Sequence, residues 1–291
     1  MAKRKSAGRK TSAETKKTTR RRTSTDSRKK TTSKPSGPGV PPELIVTVSG
    51  IRGIVGDTFT ATAIAPYIDA FARLIKGNRV ILGHDARPSA KWVVPLIEGI
   101  LRSRGVDVAM VGLCPTPSVG LLVRKLKAAG GICITASHNP IEYNGLKFFS
   151  SAGEFITPEM VEELKRLAAT PSPAGEGDRL GKKAVLHDAA EYHLQTLLSV
   201  LPPPEKVRAS KRPKVIIDCC NSAGVEIAPD VADAYGALFQ MIHADTSSRT
   251  FPRGAEPVAE NIGALRRAVV KESADMGFAI DPDADRLALV D

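Results

Sequence analysis

The chain of 291 residues carries 42 lysines and arginines against 31 aspartates and glutamates, a net charge of +11. Residues 1–34 hold 14 of the basic residues and only two acids, so this segment is +12 and the remaining 257 residues are −1. The high charge therefore does not indicate that the folded part binds nucleic acid. We also expect neither a membrane span, since no apolar run approaches about 18 residues, nor a secretory signal, since no apolar segment follows the N-terminal charges.

The basic tail at residues 1–39 has no aromatic or β-branched aliphatic residue. Such a composition cannot bury enough apolar area to offset the entropy of ordering, so we predict that the tail is disordered. We favour a solvated, solubilising extension over a nucleic-acid tether, because the tail has no aromatic side chain to stack on bases. An organelle transit peptide is a third interpretation, although no amphipathic apolar face is visible.

From residue 43 onward, short apolar strands alternate with stretches of helical periodicity. Strands are predicted at residues 44–48, 79–82, 106–111, 132–136, 146–149, 214–218, 237–242, 276–280 and 287–290. Helices are predicted at residues 61–76, 91–104, 118–127, 158–169, 187–201, 225–235 and 262–271. This alternation predicts an α/β fold of consecutive three-layer α/β domains with mixed, largely parallel sheets.

Two stretches rich in proline divide the chain. We place the first domain at 40–183, a connecting helix and linker at 184–213, and the second domain at 214–291. The last predicted strand, at residues 287–290, ends one residue before the last residue of the sequence. We therefore expect the second domain to be incomplete and the chain to be the N-terminal part of a longer protein. A short edge strand at a genuine terminus is the alternative.

The four cysteines, Cys114, Cys133, Cys219 and Cys220, form no CxxC pair and lie in or beside apolar segments. We predict reduced core residues and a cytoplasmic protein.

A hexapeptide with the sequence TASHNP occupies residues 135–140, at the end of a predicted strand. Asn-Pro is a turn signal, so Ser137 lies where the strand opens into a loop and can act as a nucleophile or carry a phosphoryl group. Neighbouring side chains diverge on extended backbone, so Ser137 and His138 are not predicted to form a hydrolase-type pair. The alternative is that Ser137 and Asn139 only make turn hydrogen bonds.

A second hexapeptide, DPDADR at residues 281–286, follows the predicted strand at 276–280. On extended backbone, Asp281, Asp283 and Asp285 project to one side and repel one another unless a cation joins them. Carboxylate oxygens are suited to Mg²⁺, and an EF-hand is not expected because Arg286 stands where that loop needs glycine. A solvated acidic turn is the alternative.

Three further segments carry charged groups at or near predicted strand ends: SGIRG at 49–53, HDARPS at 84–89 and YNGLK at 143–147. Each is weak alone, and a surface turn is favoured for the segment around Arg52. In parallel sheets, however, ligands collect beyond the carboxyl ends of the strands, so these segments could converge.

Taken together and in this order, the motifs SGIRG, GHDARPS, CPTPS, TASHNP, YNGLK and DPDADR resemble the α-D-phosphohexomutase superfamily, over residues 45–291. The resemblance implies that Ser137 is a phosphoserine and that Mg²⁺ is held by Ser137, Asp281, Asp283 and Asp285. It implies that Arg52 and Lys147 stabilise charge or assist proton transfer at the phosphoserine, that His138 contacts the site, and that Arg286 orients the acidic loop or the phosphate. The family's substrate- and phosphate-binding groups would here be Arg52, His138, Lys147 and Arg286. Pro282 stands where many members carry glycine, which leaves the three aspartates in place.

The expected activity is Mg²⁺-dependent interconversion of hexose 1-phosphate and 6-phosphate through a bisphosphorylated hexose. The family has four domains, of which this chain would supply the first and most of the second, so residues 1–291 alone are expected to be essentially inactive. Thr135 leans toward a glucose or mannose substrate. The alternative function is a non-catalytic α/β scaffold whose basic tail binds nucleic acid.

Overall fold

The computed structural model describes residues 44–170, 179–203 and 212–291. The predicted disorder of the tail at 1–39, and its role, lie outside these residues, as do parts of the two predicted linkers.

The first sheet has seven strands in the order β1-β2-β6-β5-β3-β4-β7. They are β1 (Ile45–Thr47), β2 (Gly50–Ile54), β3 (Arg79–His84), β4 (Asp107–Leu113), β5 (Gly130–Ile134), β6 (Tyr143–Phe149) and β7 (Lys183–Val185). The β5–β3, β3–β4 and β4–β7 pairs are parallel, whereas β1–β2, β2–β6 and β6–β5 are antiparallel.

Five helices cover this sheet and make it the middle of three layers. They are α1 (Ala61–Leu74), α2 (Ala90–Ser103), α3 (Thr116–Lys125), α4 (Pro158–Ala168) and α5 (Ala189–Val200). Alternate residues of β3 show the two faces: Val80 and Leu82 pack with α1, α2 and α4, and Ile81 packs with α3 and α5. The period-2 alternation of a strand therefore produces two apolar cores from one sheet.

Helices α1 and α4 each begin with a capping threonine. The hydroxyl of Thr60 accepts a hydrogen bond from the backbone N–H of Ala63 at the start of α1, and Thr157 accepts one from Met160 at the start of α4. Each bond satisfies one of the donors that a helix N-terminus leaves free.

The second sheet has the strand order β11-β10-β8-β9, comprising β8 (Lys214–Asp218), β9 (Leu238–Ile242), β10 (Met276–Ile280) and β11 (Leu287–Val290). The β8–β9 and β8–β10 pairs are parallel, and β10–β11 is antiparallel. Helix α6 (Ala228–Ala234) packs on one face and α7 (Gly263–Lys271) on the other. The two mixed sheets confirm the predicted fold class.

Two predictions about which segments form strands are wrong. The segment around Arg52 is not a surface turn but β2, which lies between β1 and β6 in the sheet. Residues 184 and 185 were placed in the connecting helix and linker. Together with residue 183 they form β7, at the edge of the sheet beside β4. The domain boundaries themselves stay a prediction.

Glycines explain why β2 was not recognised, because they lower the strand propensity of the segment. Gly50 has φ of +105°, and a Cβ there would lie 2.1 Å from the carbonyl oxygen of Leu146. On the paired strand, a Cβ at Gly145 would lie 2.4 Å from the carbonyl oxygen of Ile51. Only glycine permits this close approach between β2 and β6.

Within the described ranges, no helix is both long enough and apolar enough to cross a bilayer.

Candidate active site

Ser137 lies in the loop that leaves β5 at its carboxyl end, and its side chain is buried beside the second sheet. Its backbone is left-handed, with φ of +51°, and its N–H donates to the hydroxyl of Thr135 at 2.8 Å. An extended backbone would make the side chains of Ser137 and His138 diverge, and we predicted that they do. The backbone is not extended at Ser137, so the two side chains instead lie close together. Ser137 Oγ lies 3.5 Å from His138 Nδ1, at the outer limit of a hydrogen bond.

The guanidinium of Arg87 is fully buried and holds this loop by hydrogen bonds. Arg87 Nε donates to Asp85 Oδ2 at 3.0 Å, and the four remaining guanidinium N–H groups donate to main-chain carbonyls. Those carbonyls belong to Ser137, Asn139, Pro140 and Tyr143. All five donors of a planar fork are therefore used, and four of the acceptors lie in or beside the loop that contains Ser137.

Asp85 connects the guanidinium to the end of the strand. Its Oδ2 also accepts a hydrogen bond from the Thr135 hydroxyl at 2.7 Å, and that hydroxyl in turn binds the N–H of Ser137. Burial raises the pKa of Asp85, while Arg87 and these hydrogen bonds favour its ionised form. The left-handed backbone at Ser137 is thus held from two sides.

The acidic loop begins where β10 ends and is a tight turn instead of the predicted extended segment. Ala284 has φ of +55°, and Asp281 Oδ1 accepts the N–H groups of Asp285 at 3.1 Å and Arg286 at 3.0 Å. The turn brings one oxygen of each aspartate (Asp281, Asp283 and Asp285) within 4.8 Å of the others. The predicted convergence of the carboxylates is therefore present, although the backbone produces it by a different geometry.

The two loops meet at the acidic cluster. Ser137 Oγ donates to Asp281 Oδ2 at 3.2 Å. Lys147 Nζ lies 2.6 Å from Asp283 Oδ2 and 2.7 Å from Asp285 Oδ2. Ser137, Lys147 and the carboxylates, which are distant from one another in sequence, therefore form one site.

Burial and charge set the protonation of these groups. Burial and the neighbouring carboxylates raise the pKa of Asp281 to about 8. Burial also acts to raise the pKa of Asp283, but the charge and hydrogen bond of Lys147, together with hydrogen bonds from Thr116 and Asp281, outweigh it and the pKa lies below its usual value. Burial acts to lower the pKa of Lys147, whereas Asp283 and Asp285 raise it above its ordinary value, so the ammonium stays charged.

These residues fit a hard divalent cation. Asp283 Oδ1 is buried and has no hydrogen-bond partner within the described part of the chain, although its carboxylate is ionised. An orphaned buried carboxylate oxygen is costly unless a ligand completes it. Three converging carboxylates and a serine oxygen form the oxygen-rich donor set that Mg²⁺ prefers.

The remaining predicted residues lie around this cluster. Arg52 Nη1 donates to Asn139 Oδ1 at 3.2 Å, which joins β2 to the loop that contains Ser137. Burial and the nearby Arg286 lower the pKa of His138, so its imidazole is neutral at neutral pH. The side chain of Arg286 lies 3.3 Å from Glu256, and its backbone closes the acidic loop.

Sequence reasoning missed three residues of this site. Arg87 and Asp85 were noted only as charged groups in a weak motif, and Thr116 was not singled out. The hydroxyl of Thr116 donates to Asp283 Oδ2 at 2.6 Å, across 167 sequence positions. Nothing in the local sequence signals a partner so distant.

Comparison with known proteins matches the segments that form both sheets to the superfamily that the sequence motifs resemble. Residues 44–174 match the family described as phosphoglucomutase/phosphomannomutase, alpha/beta/alpha domain I, and residues 192–291 match domain II of that family. The phosphoglucosamine mutases of Chromohalobacter salexigens and Burkholderia vietnamiensis are 34% and 35% identical over 250 and 252 residues. Both alignments cover 83% of this chain and 54% and 55% of the relatives. The chain thus spans about half the length of the curated relatives it matches.

Solved structures share the fold. A protein described as a putative phosphomannomutase from Thermus thermophilus superposes with a TM-score of 0.74 at 26% identity, covering 86% of this chain and 57% of that one. A phosphoglucomutase/phosphomannomutase family protein from Burkholderia thailandensis gives a TM-score of 0.65 at 24% identity, covering 84% and 55%. With two consecutive domain matches and relatives above 30% identity, the chain belongs to the phosphoglucomutase/phosphomannomutase family of the α-D-phosphohexomutase superfamily.

Proposed function

We propose that this chain carries the phosphoserine and magnesium half of a phosphohexomutase active site. The observation that carries the proposal is the contact of Ser137 Oγ with Asp281 in a cluster where Asp283 keeps one buried oxygen without a partner. Family membership supports the reaction class, which is interconversion of hexose 1-phosphate and 6-phosphate through a bisphosphorylated hexose.

Ser137, Asp281, Asp283 and Asp285 would hold Mg²⁺. When bound, the cation would neutralise charge on the transferred phosphoryl group. The residues of the chain do the rest of the work by positioning and by fixed charge, because phosphoryl transfer needs little covalent chemistry from the protein.

In the transfer step, the bond between phosphorus and Ser137 Oγ breaks as a bond forms from phosphorus to a sugar hydroxyl oxygen. The sugar hydroxyl gives up its proton, for which the neutral imidazole of His138 is a suitable acceptor, and the Ser137 oxygen that leaves phosphorus takes up a proton, so the step leaves no net charge on either oxygen. Lys147 stays protonated between its two carboxylates, so it supports the site as a cation, as does Arg52. A cavity of about 450 Å³ adjoins His138.

The remaining parts of the proposal follow the family. The substrate is a phosphorylated hexose, and residues 1–291 alone are expected to turn it over poorly, since remote binding energy supports the reacting centre. The lean toward glucose or mannose stays a prediction: Thr135 uses its hydroxyl to hold Ser137, which serine could also do. All four cysteines are buried and free, which favours a cytoplasmic location.

The metal site is tested by calorimetric titration of the chain with Mg²⁺. We expect one ion per chain, and we expect Asp283→Asn to weaken its affinity by about 100-fold or more, because loss of a charged ligand exceeds the roughly 10–100-fold cost of losing a residue that only supports one.

Asp230→Asn is the matched control, since this aspartate is exposed on α6 and is not one of the converging carboxylates. Its Mg²⁺ affinity should equal that of the unaltered chain. Equal affinity in Asp283→Asn would remove the acidic loop from the proposal.

A further inference from the structure

Thr116 lies on α3, which packs on the first sheet, and makes two hydrogen bonds to Asp283 in the acidic loop of the second sheet. It is the first residue of α3 and is 2% exposed. Its backbone N–H donates to the carbonyl oxygen of Asp283 at 2.8 Å, and its hydroxyl donates to Asp283 Oδ2 at 2.6 Å. Backbone and side chain of the same aspartate are therefore fixed together.

The two oxygens of Asp283 have different surroundings. Oδ2 receives hydrogen bonds from both Thr116 and Lys147, whereas Oδ1 is buried and has no partner within the described residues. A carboxylate is planar, so fixing its backbone and one oxygen also fixes where the other oxygen points.

Thr116 is better suited than Lys147 to set this orientation. Its β-branched side chain has few rotamers, and its N–H is one of the donors that the start of a helix leaves free. Lys147 ends a flexible chain with a rotatable ammonium and also binds Asp285, so its position can adjust.

We propose that Thr116 is a positioning residue for the metal site, which holds Asp283 Oδ2 so that Oδ1 is presented to the cation. This inference rests on the proposed function, since it concerns the same site. It also means that the affinity for the metal depends on a residue of the first domain that does not itself ligate the ion.

The test compares two variants. Thr116→Val keeps the shape of the side chain and the N–H but removes the hydroxyl, whereas Thr116→Ser keeps the hydroxyl. Mg²⁺ affinity is measured by calorimetry on the 291-residue chain, with unfolding followed in chelator. We expect Thr116→Val to weaken Mg²⁺ binding by about 10-fold or more, as supporting residues of metal sites do, and Thr116→Ser to stay within about twofold of the unaltered chain. Should the valine variant not fold, Thr116→Ala serves in its place with the same expected loss.

Ser118→Ala is the matched control, because this serine is a buried hydroxyl on the same helix whose partner is His193, not the acidic loop. It should leave Mg²⁺ affinity unchanged even where it lowers stability. Thr116→Val with the affinity of the unaltered chain, or Thr116→Ser as weak as Thr116→Val, would overturn the positioning role alone. If the unaltered chain bound no Mg²⁺, the metal site would fail and this inference with it.

Discussion

Replacing Arg87 with methionine is expected to lower the free energy of unfolding by about 3–5 kcal/mol, the range for breaking a buried ion pair by removing one partner. The side chains of Arg87 and Asp85 are both completely buried. The substitution also removes the guanidinium donors from the carbonyls of Ser137 and Asn139, at a cost for each that burial makes larger. Urea unfolding at neutral pH measures the loss.

Arg166→Met is the matched control for that measurement. Arg166 pairs with Glu163 on the surface of α4, where the same change should have only a small effect on the free energy of unfolding. An equally small loss for Arg87→Met would mean that the guanidinium does not support the loop.

Replacing Lys147 with methionine is expected to destabilise the chelator-treated protein by about 3–5 kcal/mol, because Asp283 would lose its buried cationic partner. Saturating Mg²⁺ should reduce this loss, since a bound cation stabilises the folded state and neutralises the same carboxylates. Urea unfolding with chelator and with Mg²⁺ gives both values.

Lys165→Met provides the comparison, because Lys165 pairs with Glu162 at an exposed position and should contribute less than about 1 kcal/mol in either condition. An equally large loss for Lys147→Met with and without Mg²⁺ would show that the ammonium and the metal do not share the carboxylates.

Much of the site could be predicted because its chemistry is concentrated in two short motifs. Ser137 follows a strand and precedes an Asn-Pro turn, and three aspartates recur at every second position after another strand. Strand ends are where α/β proteins bind ligands, so residue type and place pointed to the same edge. The backbone of both loops was nevertheless predicted as extended and is left-handed at Ser137 and Ala284, because tight hydrogen-bonded turns leave little trace in residue type alone.

The supporting contacts could not be predicted, since their acceptors are not recognisable in sequence. Arg87 binds main-chain carbonyls 50 to 56 positions away, which any residues could supply. Thr116 binds an aspartate on the other sheet. The strand that carries Arg52 was missed because the glycines it needs for close approach to β6 are those that lower strand propensity.

The central claim is that Ser137 carries the transferred phosphoryl group. The most direct measurement is mapping of phosphate by mass spectrometry after the chain is incubated with a bisphosphorylated hexose and Mg²⁺. We predict phosphate on the peptide that contains Ser137, and none in Ser137→Ala, while Ser118→Ala is labelled like the unaltered chain. Phosphate on another residue, or labelling that persists in Ser137→Ala, would contradict the account.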